Sequence, residues 1–288
     1  MKTIEINNTI IHYKETGEGI PVIFVHGSMS DFRTWKSQIT LFAKKFHAIA
    51  YSRVYHFPNA FNEPVCDYTI SRHSNDLIQF IKALHLSGPV NLVGSSYGAF
   101  TCLDAAMKDP QIIKTLILGE PPVLSLLFTS TDNPFHIFLS FFRYFLTNLS
   151  FWKFRIKTLK KTQEQFLSGN LEEAVRIFTN GVIEDRAFER LPAPAKASIM
   201  ENANALKAEF QGPGFPEFSK QQAKQLQIPT LLVYGKNSPR FFHSISNKLF
   251  NLLPNCERVF IPNAAHSTHG DNPKVYNQKV LEFLLKHN

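Results

Sequence analysis

The chain has 288 residues, of which 44% are hydrophobic, 13% aromatic and 19% charged. It is long enough to bury a core in one or two domains, and too apolar and aromatic for a disordered segment. Its formal net charge of +8 bears on solubility and encounter and not on fold, and with no recognisable motif beside it, nucleic acid is not an expected partner.

Residues 2 to 7 and 9 to 14 alternate apolar and polar side chains around Asn7-Asn8, which predicts a half-buried hairpin. That alternation replaces the long apolar run of a signal peptide. Cys66, Cys102 and Cys256 are widely separated and lack ligand spacing, so a reduced, cytoplasmic setting is expected. Residues 21 to 25 form a continuous apolar run ending in His26-Gly27, as for a strand buried on both faces of a parallel sheet. Strand-like runs recur at 47 to 52, 89 to 93, 115 to 118, 229 to 234 and 258 to 261. Amphipathic stretches lie near 32 to 44, 70 to 84, 97 to 108, 239 to 252 and 273 to 286. This alternation predicts a doubly wound α/β sheet of about eight strands. Asn272 at the cap position and Pro273 after it mark the start of the last helix.

Between Glu120 and about Leu226 the strand rhythm stops, predicting a helical insertion over residues 121 to 226 in a core built from 1 to 120 and 227 to 288. Its apolar stretch 135 to 142 is broken by His136 and ended by Arg143, far short of the ~20 residues a membrane span needs. A pocket-lining or packing helix is expected there, with membrane-surface contact as the alternative. The cationic run Lys153, Arg155, Lys157, Lys160 and Lys161, with Lys153, Lys157 and Lys160/Lys161 at i, i+4 spacing, reads as a solvated helix face, and Pro192, Pro194, Pro213 and Pro216 mark loops. No dinucleotide fingerprint or metal cluster stands out, so no cofactor or metal is expected.

Gly94-Ser95-Ser96-Tyr97-Gly98 is a G-x-S-x-G placed directly after strand-like residues 90 to 93 and directly before a helical stretch. In that context Ser96 sits on a tight strand-to-helix turn, whose flanking glycines avoid collision with neighbouring backbone. The helix that follows aims its free N–H groups at the oxygen of a reacting carbonyl. Ser95, second in the motif, is expected to serve structure. An alcohol is a poor nucleophile near neutral pH and needs a base. His266 lies in the loop after the last predicted strand, which carries it to the sheet edge that bears Ser96. His269 is the alternative base. Trp35, Tyr51, Arg53 and His56 are expected to pack or face solvent before they touch substrate.

His26-Gly27 after an early strand, Gly94 to Gly98 after a later one and His266 near the end give the chain, over nearly its whole length, a sequence that resembles the α/β-hydrolase superfamily. The resemblance implies a serine hydrolase with nucleophile Ser96, base His266 and a helical cap over the insertion. It also implies an oxyanion hole made by the backbone N–H groups of Ser28 and Tyr97. Family members usually carry the acid, an Asp, shortly after the strand that follows the cap. Here residues 233 to 239 contain no carboxylate, and Asn237 or Ser238 holds that place. A minority, including some haloalkane dehalogenases and lipases, carry the acid at the end of the strand before the cap, which Glu120 matches. Glu120 could instead anchor the first turn of the insertion, and Asp271, a third candidate, more simply assists the start of the last helix. A serine where dehalogenases and epoxide hydrolases have an aspartate implies acyl transfer, so hydrolysis of a carboxylic ester or related acyl compound with an apolar acyl or aryl group is expected. Thioesters, lactones and carbon–carbon bonds are alternatives, and so is a small-ligand receptor that retains the triad.

Overall fold

The computed structural model describes residues 1–62, 65–128 and 145–288; the apolar stretch 135 to 142 lies outside the described residues. β1 (Lys2–Ile6) and β2 (Thr9–Thr16) pair antiparallel, with Ile6 opposite Thr9. Between them Asn7 and Asn8 take φ of 48° and 59°, the left-handed conformation that a two-residue hairpin turn demands and Asn tolerates.

β3 (Pro21–Val25), β4 (His47–Tyr51), β5 (Val90–Ser95), β6 (Ile113–Gly119), β7 (Thr230–Gly235) and β8 (Cys256–Ile261) complete an eight-stranded sheet. The strand order is β1-β2-β4-β3-β5-β6-β7-β8. Pairings β1-β2 and β2-β4 are antiparallel and the other five are parallel. Because β4 and β5 flank β3 on opposite sides, connections diverge there and leave a crevice at the carboxyl ends of the central strands.

A 3-10 turn at Phe32–Trp35 leads into α1 (Lys36–Phe42), followed by α2 (Ile70–Ala83) and α3 (Tyr97–Lys108). Between β6 and β7, α4 (Phe145–Phe154) continues through a π-helical turn, Arg155–Lys160, into α5 (Lys161–Leu167). Then come α6 (Leu171–Val182), α7 (Ala187–Arg190), α8 (Ala193–Met200), α9 (Ala203–Gln211) and α10 (Lys220–Gln225). α11 (Arg240–Leu252), α12 (Thr268–Asp271) and α13 (Pro273–His287) close the chain.

The apolar strand runs split by period two between the faces of the sheet. Val22 and Phe24 of β3 pack with Phe42 of α1 and Tyr276, Val280 and Phe283 of α13, whereas Ile23 and Val25 pack with Leu77 of α2, Phe100 of α3 and Phe241 of α11. Both faces are therefore covered by helices. The insertion has its own apolar cluster, in which Phe166, Val175, Phe178, Phe188 and Leu206 surround Met29 from the loop after β3. Asn202 joins the two layers, giving a hydrogen bond from Nδ2 to Asp31 Oδ2 (2.7 Å) and taking one at Oδ1 from Phe57 N (2.9 Å).

Two local expectations change. Pro194 stands in the first turn of α8, with Pro192 at its cap, where a missing N–H has no intrahelical partner to lose; Pro213 and Pro216 do lie in coil. The cationic run is exposed as expected, but the wider π turn interrupts a strict i, i+4 row.

Candidate active site

Ser96 lies between β5 and α3 with φ 52° and ψ −121°. A non-glycine residue there costs of order 1–3 kcal/mol and needs its surroundings to hold it. Ser96 N donates to Gly119 O (2.7 Å), and Ser96 O accepts from Ala99 N (2.9 Å) and Phe100 N (3.1 Å). The motif glycines are sterically required: a Cβ on Gly94 would stand 2.6 Å from Ala99 Cα, and one on Gly98 only 2.3 Å from His26 O and Val25 O.

His266 comes from the loop between β8 and α12. Its Nε2 lies 2.8 Å from Ser96 Oγ and its Nδ1 lies 2.6 Å from Glu120 Oε2. A carboxylate oxygen only accepts, so Nδ1 carries the ring proton and Nε2 is left to accept from the Ser96 hydroxyl. Glu120 follows β6 with φ 46° and is 1% exposed. Its second oxygen accepts from Gly235 N (2.8 Å), and its own N–H donates to Val233 O (3.1 Å). The chain end of β6 is thus pinned to β7, and the carboxyl bridges the sheet edge to the histidine. The Phe242 ring stacks on the imidazole at 4.3 Å between centroids, covering it from water.

The competing candidates do not join this hydrogen-bond chain. Asn237 N donates to Ala264 O (2.9 Å), Ser238 Oγ is buried with no hydrogen-bond partner among the described residues, and neither side chain bonds His266. His269 stacks on Trp35 at 4.3 Å and meets Thr34 Oγ1 at 3.2 Å; burial, with the nearby His266, lowers its pKa to about 4. Asp271 does not assist α13, whose cap is Asn272 accepting from Val275 N. Its Oδ2 instead accepts from Ala265 N (2.9 Å), bracing the loop one residue before His266. Trp35, Tyr51, Arg53 and His56 are all buried.

Sequence reasoning missed how the His26-Gly27-Ser28 loop is held. Arg53 N donates to His26 Nε2 (2.9 Å), which leaves His26 Nδ1 to donate to Gly27 O (2.8 Å). Arg53 Nε and Nη2 donate to His26 O (3.2 Å) and Gly27 O (3.0 Å). Burial first, then the Arg53 charge, hold the His26 imidazole well below its usual pKa, so it stays neutral. A Cβ on Gly27 would stand 3.2 Å from Ser96 Cβ, so this loop lies directly against the serine turn.

Ser28, Ser96, Tyr97 and His266 line one cavity of about 1510 Å³. Apolar side chains from the insertion and α11, among them Phe128, Phe151, Phe178 and Phe241, form its walls. Glu209 of α9 also lines it, a residue that nothing in the local sequence singled out. The arrangement can deprotonate a serine hydroxyl beside an apolar chamber.

A profile of the α/β-hydrolase fold family matches residues 20–273. The 2-hydroxy-6-oxo-6-(2'-aminophenyl)hexa-2,4-dienoic acid hydrolase of Metapseudomonas resinovorans is 25% identical over 277 residues, 95% of this chain and 87% of that protein. Among solved structures, a serine hydrolase involved in carbazole degradation superposes with a TM-score of 0.72 at 19% identity, over 98% of this chain and 97% of that one. An esterase from Thermogutta terrifontis superposes with a TM-score of 0.71 at 21% identity, over 99% and 97%. The chain belongs to the α/β-hydrolase fold family, and it is an enzyme of the hydrolase class. No helix among the described residues is long and apolar enough to cross a membrane.

Proposed function

We propose that the protein hydrolyses a carboxylic ester with an apolar acyl or aryl group through an acyl-enzyme on Ser96. The observation that carries this reading is the continuous hydrogen-bond chain from Ser96 Oγ through His266 to Glu120, at 2.8 and 2.6 Å, opening on an apolar cavity. In this reading residues 1 to 120 and 227 to 288 form the catalytic core, and residues 121 to 226 form a cap that shapes the chamber.

His266 Nε2 takes the Ser96 proton as Oγ bonds to the ester carbonyl carbon. The carbonyl oxygen becomes an oxyanion that accepts from the backbone N–H groups of Ser28 and Tyr97. The imidazolium, steadied by Glu120, gives its proton to the leaving alkoxide as the ester bond breaks. Water, deprotonated by the same nitrogen, then attacks the acyl carbon, and Ser96 leaves with its proton restored.

The test is hydrolysis of p-nitrophenyl esters of short and medium acyl chains by wild type, Ser96→Ala, His266→Ala, Glu120→Gln and Asn237→Ala, with each variant checked for folding. Loss in the first three variants and not in the fourth supports the displaced acid. The 25% identity to a hydrolase of 2-hydroxy-6-oxo-6-(2'-aminophenyl)hexa-2,4-dienoic acid over 95% of the chain favours one second reading, hydrolysis of a carbon–carbon bond. Turnover of a coloured vinylogous diketone with no ester turnover would select it. Absence of both, with no phosphonate labelling of Ser96, would leave the receptor reading.

A further inference from the structure

Glu209 of α9 lines the cavity and gives a hydrogen-bond acceptor, Oε1, to the hydroxyl of Ser28 at 2.9 Å. Its other oxygen stands 3.4 Å from Tyr68 Oη. The direction of that second contact follows from the protons available. His56 Nδ1 lies 2.7 Å from Ser30 O, a carbonyl that can only accept, so Nδ1 bears the proton. Burial, then the charge of Arg53, keep this imidazole neutral by holding its pKa well below the usual value. His56 Nε2 is therefore bare and takes the Tyr68 hydroxyl proton at 2.8 Å. Tyr68 oxygen, already facing Arg53 Nη2 at 3.4 Å, has no proton left for Glu209. At that separation a bare carboxylate sets lone pair against lone pair, and a proton on Glu209 Oε2 is the one that can turn the contact into a hydrogen bond.

We infer that Glu209 works as a protonated acid that positions Ser28 beside the reacting carbonyl, and that its ionisation slows the site, giving the enzyme an alkaline limit that originates in the insertion. The inference rests on the reading of Ser28 N–H as an oxyanion donor. A neutral carboxyl leaves that donor free to stabilise negative charge on the substrate. A carboxylate one side chain away opposes the same charge, and it also meets the lone pairs of Tyr68. Burial raises the Glu209 pKa to about 7 against the opposing pull of the Ser28 hydroxyl and the Arg53 charge, which puts the change near neutral pH. The groups facing Glu209 are Ser28 after β3, Arg53 after β4, Tyr68 before α2 and Tyr97 at the start of α3. Glu209 is a positioning residue: its one hydrogen bond toward the serine site runs through Ser28.

The experiment compares pH profiles of kcat/KM for an uncharged ester, p-nitrophenyl butanoate, and of the rate of Ser96 labelling by an alkyl fluorophosphonate, in wild type and Glu209→Gln. The amide keeps a carbonyl for Ser28 and an N–H for Tyr68, so it imitates the neutral acid at every pH. Wild type is expected to lose about tenfold on the alkaline side, with a midpoint near 7, chiefly in kcat; Glu209→Gln is expected to hold its plateau. A wild-type profile that stays flat well above that midpoint overturns the inference without recourse to the variant. The same limb in both proteins overturns it equally. If no ester is hydrolysed but labelling shows the limb in wild type alone, the ester reading fails and this inference stands. If Ser96 is not labelled at any pH, both fail.

Discussion

Two glutamates close to the same cavity, one on the sheet edge and one on the insertion, occupy opposite environments. Glu120 is met by two N–H donors, from His266 and Gly235. Glu209 is met by one hydroxyl donor and by a tyrosine oxygen whose proton is committed elsewhere. The first setting suits an acceptor-only carboxylate, and the second suits an acid that keeps its proton. Residue type is the same at both positions, and the count of donors around each carboxyl separates the two settings.

Removing the proposed nucleophile should break the sheet-edge side of this contrast most severely. Ser96→Ala should lower kcat by about 10⁴-fold or more, and Glu120→Gln, which puts an amide against the imidazole, by about 10³–10⁴-fold with the fold intact. Steady-state kinetics alongside circular dichroism measures both, and near-normal activity in Glu120→Gln would remove Glu120 from the catalytic chain.

Arg53 tests the floor beneath Ser28. Arg53→Met should lower stability by about 2–4 kcal/mol, because His26 O and Gly27 O each lose a charged donor, and should lower kcat more than it raises KM. Urea unfolding and kinetics on the same preparation read the two effects; unchanged kcat would mean that the loop holds its place without the guanidinium.

Stability against pH should carry two opposing signatures. His26, His56 and His73 are held well below 6.5 by burial and then by the charge of Arg53. Below 6.5 the unfolded chain takes up protons that the folded chain refuses, so stability falls as pH falls through that range. Glu209 acts the other way. Its folded pKa, about 7, stands above the unfolded value of 4.5, so the folded chain keeps a proton the unfolded chain has lost. Its contribution is full below 4.5 and declines as pH rises toward 7. Glu209→Gln should therefore gain on wild type, in relative Tm, as pH rises between those values. Calorimetry across that window measures it, and parallel Tm curves would refute the assignment.

The smallest effect is expected at the brace of the His266 loop. Asp271→Asn keeps an oxygen acceptor for Ala265 N and should change kcat by only a few-fold, whereas Asp271→Ala should cost about 1 kcal/mol and slow turnover further.

Much of the sheet was legible in the sequence because a strand buried on both faces must be apolar throughout and short, and the hairpin because its alternation and its Asn-Asn turn are local. Ser96 was legible for the same reason: the glycines that permit the turn stand within two residues of it. His266 and Glu120 could be placed only at the correct sheet edge, since their strand ends were visible but their mutual distance was not. Glu209 gave no signal. It sits in an ordinary helical stretch, and its partner Ser28 lies 181 positions away in the chain.

The sequence by itself determined the strand succession, the serine turn and the loop that carries the histidine, because each depends on neighbours within a few residues. Only the tertiary structure decided which of two acids meets His266, that Arg53 clamps the loop before Ser28, and that an insertion glutamate takes the hydroxyl proton of Ser28 in a hydrogen bond. Those outcomes depend on distant segments brought into hydrogen-bonding distance, and no periodicity along the chain records which donor will face which acceptor.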